Sequence, residues 1–446
     1  MTVTAFLLHF YPIMNTIPLR LLATTTACLS LLASCDSSSS TKKTVDTRAA
    51  DASTAAPAAL KAGHWNGSLT TQGQAIPFAF EVAMEAGQPV VYLVNEGLSG
   101  TERLRCEDLK AAGDSVTIRL HTFDAALVVR PDGPDKLKGT WVKYDAKTPY
   151  RVPLTALFGK RPLPEATSAT PDLTGTWRVT FKPDDDKAYP AVGIFKQQGA
   201  GITGTFLTTT GDYRYLAGAV LPEGMALSTF DGNHGFLFQA SKQPDGTLKG
   251  DFYSGKSGHE TWTAVLDPQA KLPDAESLTF LKKGETRLNF KFPNVFEGGA
   301  VSPTDPKYRG KVVVIQILGS WCPNCMDETN FLAPWYAKNK QRGVEIIGLG
   351  YERSADYKVA SARLRNMRDR FNIGYDLAVA GVSNKDSVAK SLPQLAQFLA
   401  FPTTIFLDKK GNVRQIHTGF SGPGTGKYYQ QEIIGFEREV NKLLKE

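Results

Sequence analysis

The sequence predicts a multidomain chain in which a duplicated antiparallel all-β region, a barrel or a sandwich, is followed by an α/β domain. Three observations predict this. Residues 63–267 carry apolar side chains at every second position in short runs cut by Gly, Pro and Asp, the pattern of half-buried antiparallel strands. Landmarks within that stretch recur at a spacing of about 110 residues, which points to a duplication. The last third then sets a β-branched run directly before Trp321-Cys322-Pro323-Asn324-Cys325 and a helical period, in the order strand, turn, helix. A length of 446 residues fits two or three domains at roughly 150 each.

Composition bounds the function. With 42% hydrophobic and 21% charged residues, the chain is neither collagen-like nor globally disordered. The formal charge of +7 is unevenly placed, since Arg287–Glu446 holds 23 Lys and Arg against 15 Asp and Glu. That excess lacks the basic and aromatic interleaving of a nucleic-acid surface, so no nucleic-acid partner is expected. Five cysteines are too few for a disulfide-stapled scaffold, and each has its own explanation.

Before Asp36 the only charged side chain is Arg20, and Leu21–Ser34 is an apolar and small-residue run. It is shorter than the roughly 20 residues of a membrane span but suits the core of an export signal, assigned to residues 1–34. Met14 makes a more typical start than Met1, and Cys28 would leave with the signal. Leu32-Ala33-Ser34-Cys35 resembles the lipobox of bacterial lipoproteins. This implies lipid attachment at Cys35 and a place on the periplasmic side of a bacterial envelope, tied to the membrane by acyl chains. The competing reading is an ordinary cleaved signal with an incidental cysteine. Residues 35–60, with Ser37-Ser38-Ser39-Ser40, hold too little large apolar surface to offset ordering entropy and read as a disordered tether.

The β-rich repeats are assigned to residues 61–160 and 172–267. Pro77–Val82, Val116–Leu120, Trp177–Phe181 and Phe236–Ala240 are representative strands. Trp65-Asn66-Gly67, Thr122-Phe123-Asp124 and Leu137–Trp141 find counterparts in Gly175-Thr176-Trp177, Thr229-Phe230-Asp231 and Leu248–Phe252, an alignment that sets Gly67 against Gly175. Arg161–Pro171, with three prolines, forms the joint. His121, His234 and His259 lack metal-ligand spacing. Phe230–Gly235 reads as a turn between strands, with a binding loop as the alternative. Cys106 is expected as a small buried hydrophobe. The region is thus a scaffold or a recognition module.

Asp267–Glu285, with Pro268 and Pro273, is the expected hinge into the last domain, 286–446. Lys311–Leu318 is apolar enough for a strand covered on both faces. After the CPNC turn, Phe331, Leu332, Trp335 and Tyr336 recur at helical spacing. Cys322 at the start of a helix would have its thiolate stabilised by unpaired N–H groups and the positive dipole end, and Pro323 fits the first turn. Lowering a thiol pKa from about 8.5 to about 7 raises its thiolate share roughly 15-fold at neutral pH. Lower nucleophilicity returns most of that gain, so leaving-group ability benefits at least as much. Cys325, one turn inside, would resolve a mixed disulfide. A zinc site needs four ligands and a structural disulfide this short closes almost no loop, so no metal or cofactor is expected. Further on come a strand at Val344–Leu349 and a helix within Ser354–Phe371. The Arg363, Arg365, Arg368 and Arg370 of that helix form a solvated face or dock an acidic partner. A hairpin of Phe401–Asp408 with Val413–Thr418 and a closing helix over Tyr428–Leu444 complete the chain.

From about Phe290 to Leu444, the motifs Trp321–Cys325, Phe401-Pro402-Thr403-Thr404 and Phe406–Gly411 resemble the thioredoxin fold and, within it, the TlpA and ResA-like thiol-disulfide oxidoreductases. The resemblance implies Cys322 as nucleophile, Cys325 as resolving thiol and Pro402 as a cis-proline facing the disulfide. It also implies that Phe401 presents backbone groups to substrate and that Trp321 packs beside the pair. Gln316 stands where thioredoxins carry a buried Asp, and it cannot accept a proton. Glu328 matches a family active-site glutamate and is expected to relay protons; the alternative is an exposed first-turn carboxylate favoured by the helix dipole. The implied function is a membrane-anchored, extracytoplasmic protein-disulfide oxidoreductase that reduces client proteins with electrons from a membrane thiol donor. A thiol peroxidase is a second reading, weakened because PxxxTxxC is absent around Cys322. A third is an envelope-binding module in the β region with an accessory redox domain.

Overall fold

The computed structural model describes residues 60–446 except 107, 121–122, 146–147, 149, 166, 168–169 and 297. The expected export signal, Cys28, Cys35, the tether up to 59 and His121 lie outside the described residues.

Among the described residues, the first half of the β region is an antiparallel nine-stranded meander. Its opening strand, Gly63–Thr71, pairs with both Gln74–Glu85 and the last strand, Tyr150–Phe158, so the sheet runs outward to two unpaired edges, Gly100–Arg105 and Leu109–Ala112. Alternation decides which face is buried: Ile76, Phe78, Phe80 and Val82 point inward while Glu81 and Glu85 stay outside the core. The second half does close. Gly175–Phe181 pairs with Gly258–Leu266, and Tyr189–Gln198 pairs with Gly201–Thr208, completing an eight-stranded up-and-down barrel. Its interior is filled by aromatic rings, with Phe238 4.6 Å from Phe206 and 4.4 Å from Phe252. The barrel is therefore a packed core and not a ligand cup.

The two halves share landmarks, but in a different register from the sequence alignment. The Trp65 indole donates to the Lys61 carbonyl at 2.9 Å, and the Trp177 indole donates to the Leu173 carbonyl at 3.1 Å. Gly63 (φ +128°) lies against Phe158, as Gly175 (φ +143°) lies against Leu266. Gly175 thus corresponds to Gly63, not to Gly67, because the tryptophan follows its glycine in both halves. Gly139 and Gly250 do correspond: a Cβ would sit 2.1 Å from the Val128 carbonyl oxygen and 2.2 Å from that of Gln239. The first sheet does not complete its own core. Phe230 and Leu237 of the barrel and Met326 of the last domain are buried in the same cluster as Phe78 and Trp141.

The last domain is a five-stranded mixed sheet in the order Asp376–Val382, Val344–Glu352, Val312–Leu318, Thr403–Leu407, Val413–Thr418, parallel across the first three strands and antiparallel across the last two. Helices α1 (Pro323–Asn339), α2 (Tyr357–Phe371) and α4 (Lys427–Lys445) contribute to the core on one face, and α3 (Lys385–Ser391) to that on the other. Parity along the fully buried central strand sends Val313, Ile315 and Ile317 to the α3 side, and Val312, Val314 and Leu318 to the α1 side. Gln316 shares that second parity and so lies beneath α1. This is a thioredoxin-like arrangement.

Two of the α2 arginines, Arg363 and Arg370, reach the β region of the same chain. Arg363 pairs with Asp124 of the first sheet, and Arg370 donates to the Arg105 carbonyl at 2.7 Å. Arg353, before α2, pairs with Asp145. Arg365 donates instead to the Val295 carbonyl at 3.5 Å, and Arg368 pairs with Asp369 of its own helix.

Candidate functional site

The central strand delivers the chain into Gly319-Ser320-Trp321, and Cys322 caps α1. Its backbone is extended (φ −104°, ψ 111°), and its sulfur accepts from the Cys325 N–H at 3.2 Å. Cys322 and Cys325 form a disulfide with Cα atoms 5.2 Å apart, the former 5% and the latter 0% exposed. Pro323 at the first helical position loses no donor, and the Cys325 N–H of the first turn is directed at the Cys322 sulfur.

The Phe401–Pro402 peptide is cis. The Phe401 carbonyl oxygen lies 3.7 Å from Cys322 Sγ, and its ring meets Trp321 edge-on at 5.5 Å. The Trp321 indole donates to the Tyr351 carbonyl at 2.8 Å, and the ring folds back over Gly319, where a Cβ would sit 2.2 Å from the indole nitrogen. Arg353 lies 5.5 Å above that ring. Ser320 donates from both its N–H and its hydroxyl to the buried carboxylate of Glu352, at 2.8 and 2.7 Å. Burial raises the pKa of Glu352, and the two Ser320 bonds oppose the rise.

Glu328 is 3% exposed, which removes the solvent-facing alternative. One carboxylate oxygen accepts from the Thr404 hydroxyl, and the other accepts from the Gln316 amide at 2.7 Å. Burial pushes Glu328 up to about 7, while those two bonds and nearby His417 hold it back. The same Gln316 amide nitrogen is 3.5 Å from the Cys325 carbonyl oxygen. His417, opposite Thr404 in the sheet, pairs with Glu432 at 3.0 Å. Burial works to lower its pKa, but Glu432 holds it above the usual value.

The structure thus gathers Trp321, Cys322, Cys325, Phe401 and Pro402 around the disulfide, with Glu328 one turn deeper. It also adds residues from the β region that sequence reasoning missed. Asn233 donates to the Trp321 carbonyl at 2.7 Å, so Phe230–Gly235 is both a strand turn and a contact with the redox site. The Asn324 side chain donates to the Asp212 carboxylate at 3.0 Å. Arg214 donates to the Pro323 carbonyl at 3.3 Å and pairs with Asp327 and Glu102. Burial raises Asp212 and Asp327, with one guanidinium serving several carboxylates. Only the polar composition of residues 231–234 hinted at such a role. Among the described residues no cluster of three or more His, Cys, Asp or Glu could hold a metal ion, and no helix is long and apolar enough to cross a membrane.

Comparisons with known proteins fall on this domain. A family model described as Redoxin matches residues 282–431. The chain is 29% identical over 112 residues to the thiol-disulfide oxidoreductase ResA of Geobacillus kaustophilus (strain HTA426), covering 25% of this chain and 57% of that relative. It is 25% identical over 140 residues to the ResA of Bacillus thuringiensis subsp. konkukian (strain 97-27), covering 30% and 72%. The chain therefore spans little more than half of the first relative. A solved structure described as a putative thiol:disulfide interchange protein DsbE from Chlorobium tepidum is 20% identical, with a TM-score of 0.27, covering 35% of this chain and 98% of that one. Residues 282–431, which hold the Cys322–Cys325 pair, are a Redoxin domain similar to the ResA thiol-disulfide oxidoreductases.

Proposed function

We propose that the chain is a protein-disulfide oxidoreductase that reduces client proteins outside the cytoplasm while anchored to a bacterial membrane through lipidated Cys35. The observation that carries the redox reading is the Cys322–Cys325 pair capping α1, with the Phe401 carbonyl beside the outer sulfur. In the reduced enzyme, Cys322 thiolate attacks one sulfur of a client disulfide, forming a mixed disulfide and releasing one client thiolate. Cys325 then attacks Cys322, releasing the second client thiol and closing the enzyme disulfide. The client gains two electrons and two protons, and a dithiol donor must resupply them.

Glu328 is the proposed proton reservoir. A carboxyl pushed up to about 7 can hold or release a proton as the inner thiol titrates, and its link to the pair runs through Gln316 and the Cys325 carbonyl. Trp321, Phe401 and Pro402 form the proposed client-binding face. The reducing direction, the membrane thiol donor and the anchor rest on the family resemblance and on the Leu32–Cys35 motif.

Insulin reduction with dithiothreitol as donor tests the activity; loss of turnover in Cys322→Ser and Cys325→Ser supports it, and retained turnover refutes it. A reduction potential near about −270 mV fits a reductant, and one near about −120 mV an oxidant. Release of Cys35→Ala from membranes tests the anchor.

A further inference from the structure

One guanidinium joins all three parts of the chain. Arg214 belongs to the barrel, Glu102 to the first sheet, and Asp327 with the Pro323 carbonyl to α1. Arg214 is 7% exposed and sits at φ +57°, a left-handed conformation that side-chain-bearing residues seldom adopt and that is held where surroundings impose it. Its own N–H donates to the Asp212 carboxylate at 2.5 Å. The other oxygen of that carboxylate accepts from the Gly422 N–H at 2.7 Å and from Asn324 at 3.0 Å. Asn233 takes the Trp321 carbonyl, and Thr209–Gly211 lies against Gly419.

The barrel therefore covers the CPNC turn and the loop after the last strand of the redox sheet. The cavity left between the barrel and Pro323 and Asn324 is about 160 Å³. Thiol exchange also needs access to the sulfur under attack, and Cys322 is 5% exposed.

We propose that Arg214 is a specificity-determining residue of the redox site: with Asp212 and Asn233 it holds the barrel on the CPNC turn, so the pair exchanges readily with small disulfides and with protein disulfides only when the barrel lifts. This rests on the redox reading above. The exchange itself is unchanged: the reduced pair passes two electrons and two protons to the substrate disulfide, and a dithiol restores it.

The test uses the full chain with dithiothreitol as donor and two substrates, hydroxyethyl disulfide and insulin. The readout is the ratio of insulin turnover to small-disulfide turnover. Arg214→Ala is expected to raise that ratio roughly fivefold or more, Arg214→Lys to return part of the way, and Asn233→Ala to raise it about twofold. Asn233→Ala leaves the buried carboxylates paired and decides the matter if Arg214→Ala fails to fold. An unchanged ratio in a folded Arg214→Ala or in Asn233→Ala overturns the inference while leaving the redox reading intact. Failure of the unmodified chain to reduce either substrate overturns both.

Discussion

The Gln316 amide donates to the Glu328 carboxylate at 2.7 Å, deep beneath α1. Its oxygen accepts from the Tyr375 hydroxyl at 3.4 Å, and the Thr329 hydroxyl lies within reach of both amide atoms. A glutamine cannot take a proton, but it can hold the carboxylate that does. The buried Glu328 carboxylate, the proton reservoir proposed above, is thus held by a strand residue that cannot itself take a proton.

That arrangement gives stability a definite pH dependence. Glu328 is pushed from 4.5 up to about 7 in the folded chain. Between those values the folded state keeps a proton that the unfolded chain has released. The stabilising contribution is full below about 4.5 and is lost as pH rises through about 7, a change on the order of 3 kcal/mol. Glu328→Gln removes this slope. Melting temperatures of variant and unmodified chain, compared at about pH 5 and about pH 8, should shift in the variant's favour at the higher pH. A constant difference would show that Glu328 does not titrate in this range.

The two sulfurs should separate by role. With Cys325→Ser, the mixed disulfide between Cys322 and a client cannot be resolved, and intact-mass analysis after incubation with an oxidised protein should find a covalent adduct reversible by reductant. Cys322→Ser should yield none. Equal trapping by both variants would contradict the assignment of Cys322 as the attacking thiol.

Arg363 and Asp124 tie α2 to the first sheet in a pair about a quarter and a seventh exposed. Arg363→Glu should lower the chain's unfolding free energy, and adding Asp124→Arg should recover part of the loss. The coupling expected from a double-mutant cycle is about 1 kcal/mol. Zero coupling in urea titrations would mean that the two charges do not act on each other.

Gly139→Ala and Gly250→Ala test the duplication mechanically. Each new methyl would lie near 2 Å from a neighbouring strand's carbonyl oxygen, so the strands must part. Each substitution should cost about 1–3 kcal/mol by thermal or urea unfolding. Tolerance at either position would show that its sheet can yield.

Much of this architecture was legible locally. The fully buried strand before CPNC, the Phe401–Asp408 hairpin and the last helix follow from runs of like residues and helical periods. Asp376–Val382 escaped notice because Asp376, two alanines and Gly381, which carry little strand preference, interrupt its Leu and Val residues. Register within the duplication failed at Gly67 because two short glycine and tryptophan motifs can be aligned either way round. Cys322 and Cys325 were readable because their chemistry is packed into four residues. Asn233, Asp212 and Arg214 were not, since their roles exist only once strands over 80 residues distant meet α1. Arg363 and Arg370 looked like a hydrated surface because a helix face does not announce which part of its own chain will cover it.

Met326, the residue after the inner cysteine, is anchored in the hydrophobic interior of the opening sheet together with Phe230 and Leu237. The chain's modules are therefore not interchangeable beads. The barrel keeps an aromatic interior of its own, whereas the open sheet buries Phe230, Leu237 and Met326 from elsewhere in the chain. The Met326 thioether thus joins the helix that begins at the sulfurs to an interior built some 200 residues earlier in the sequence.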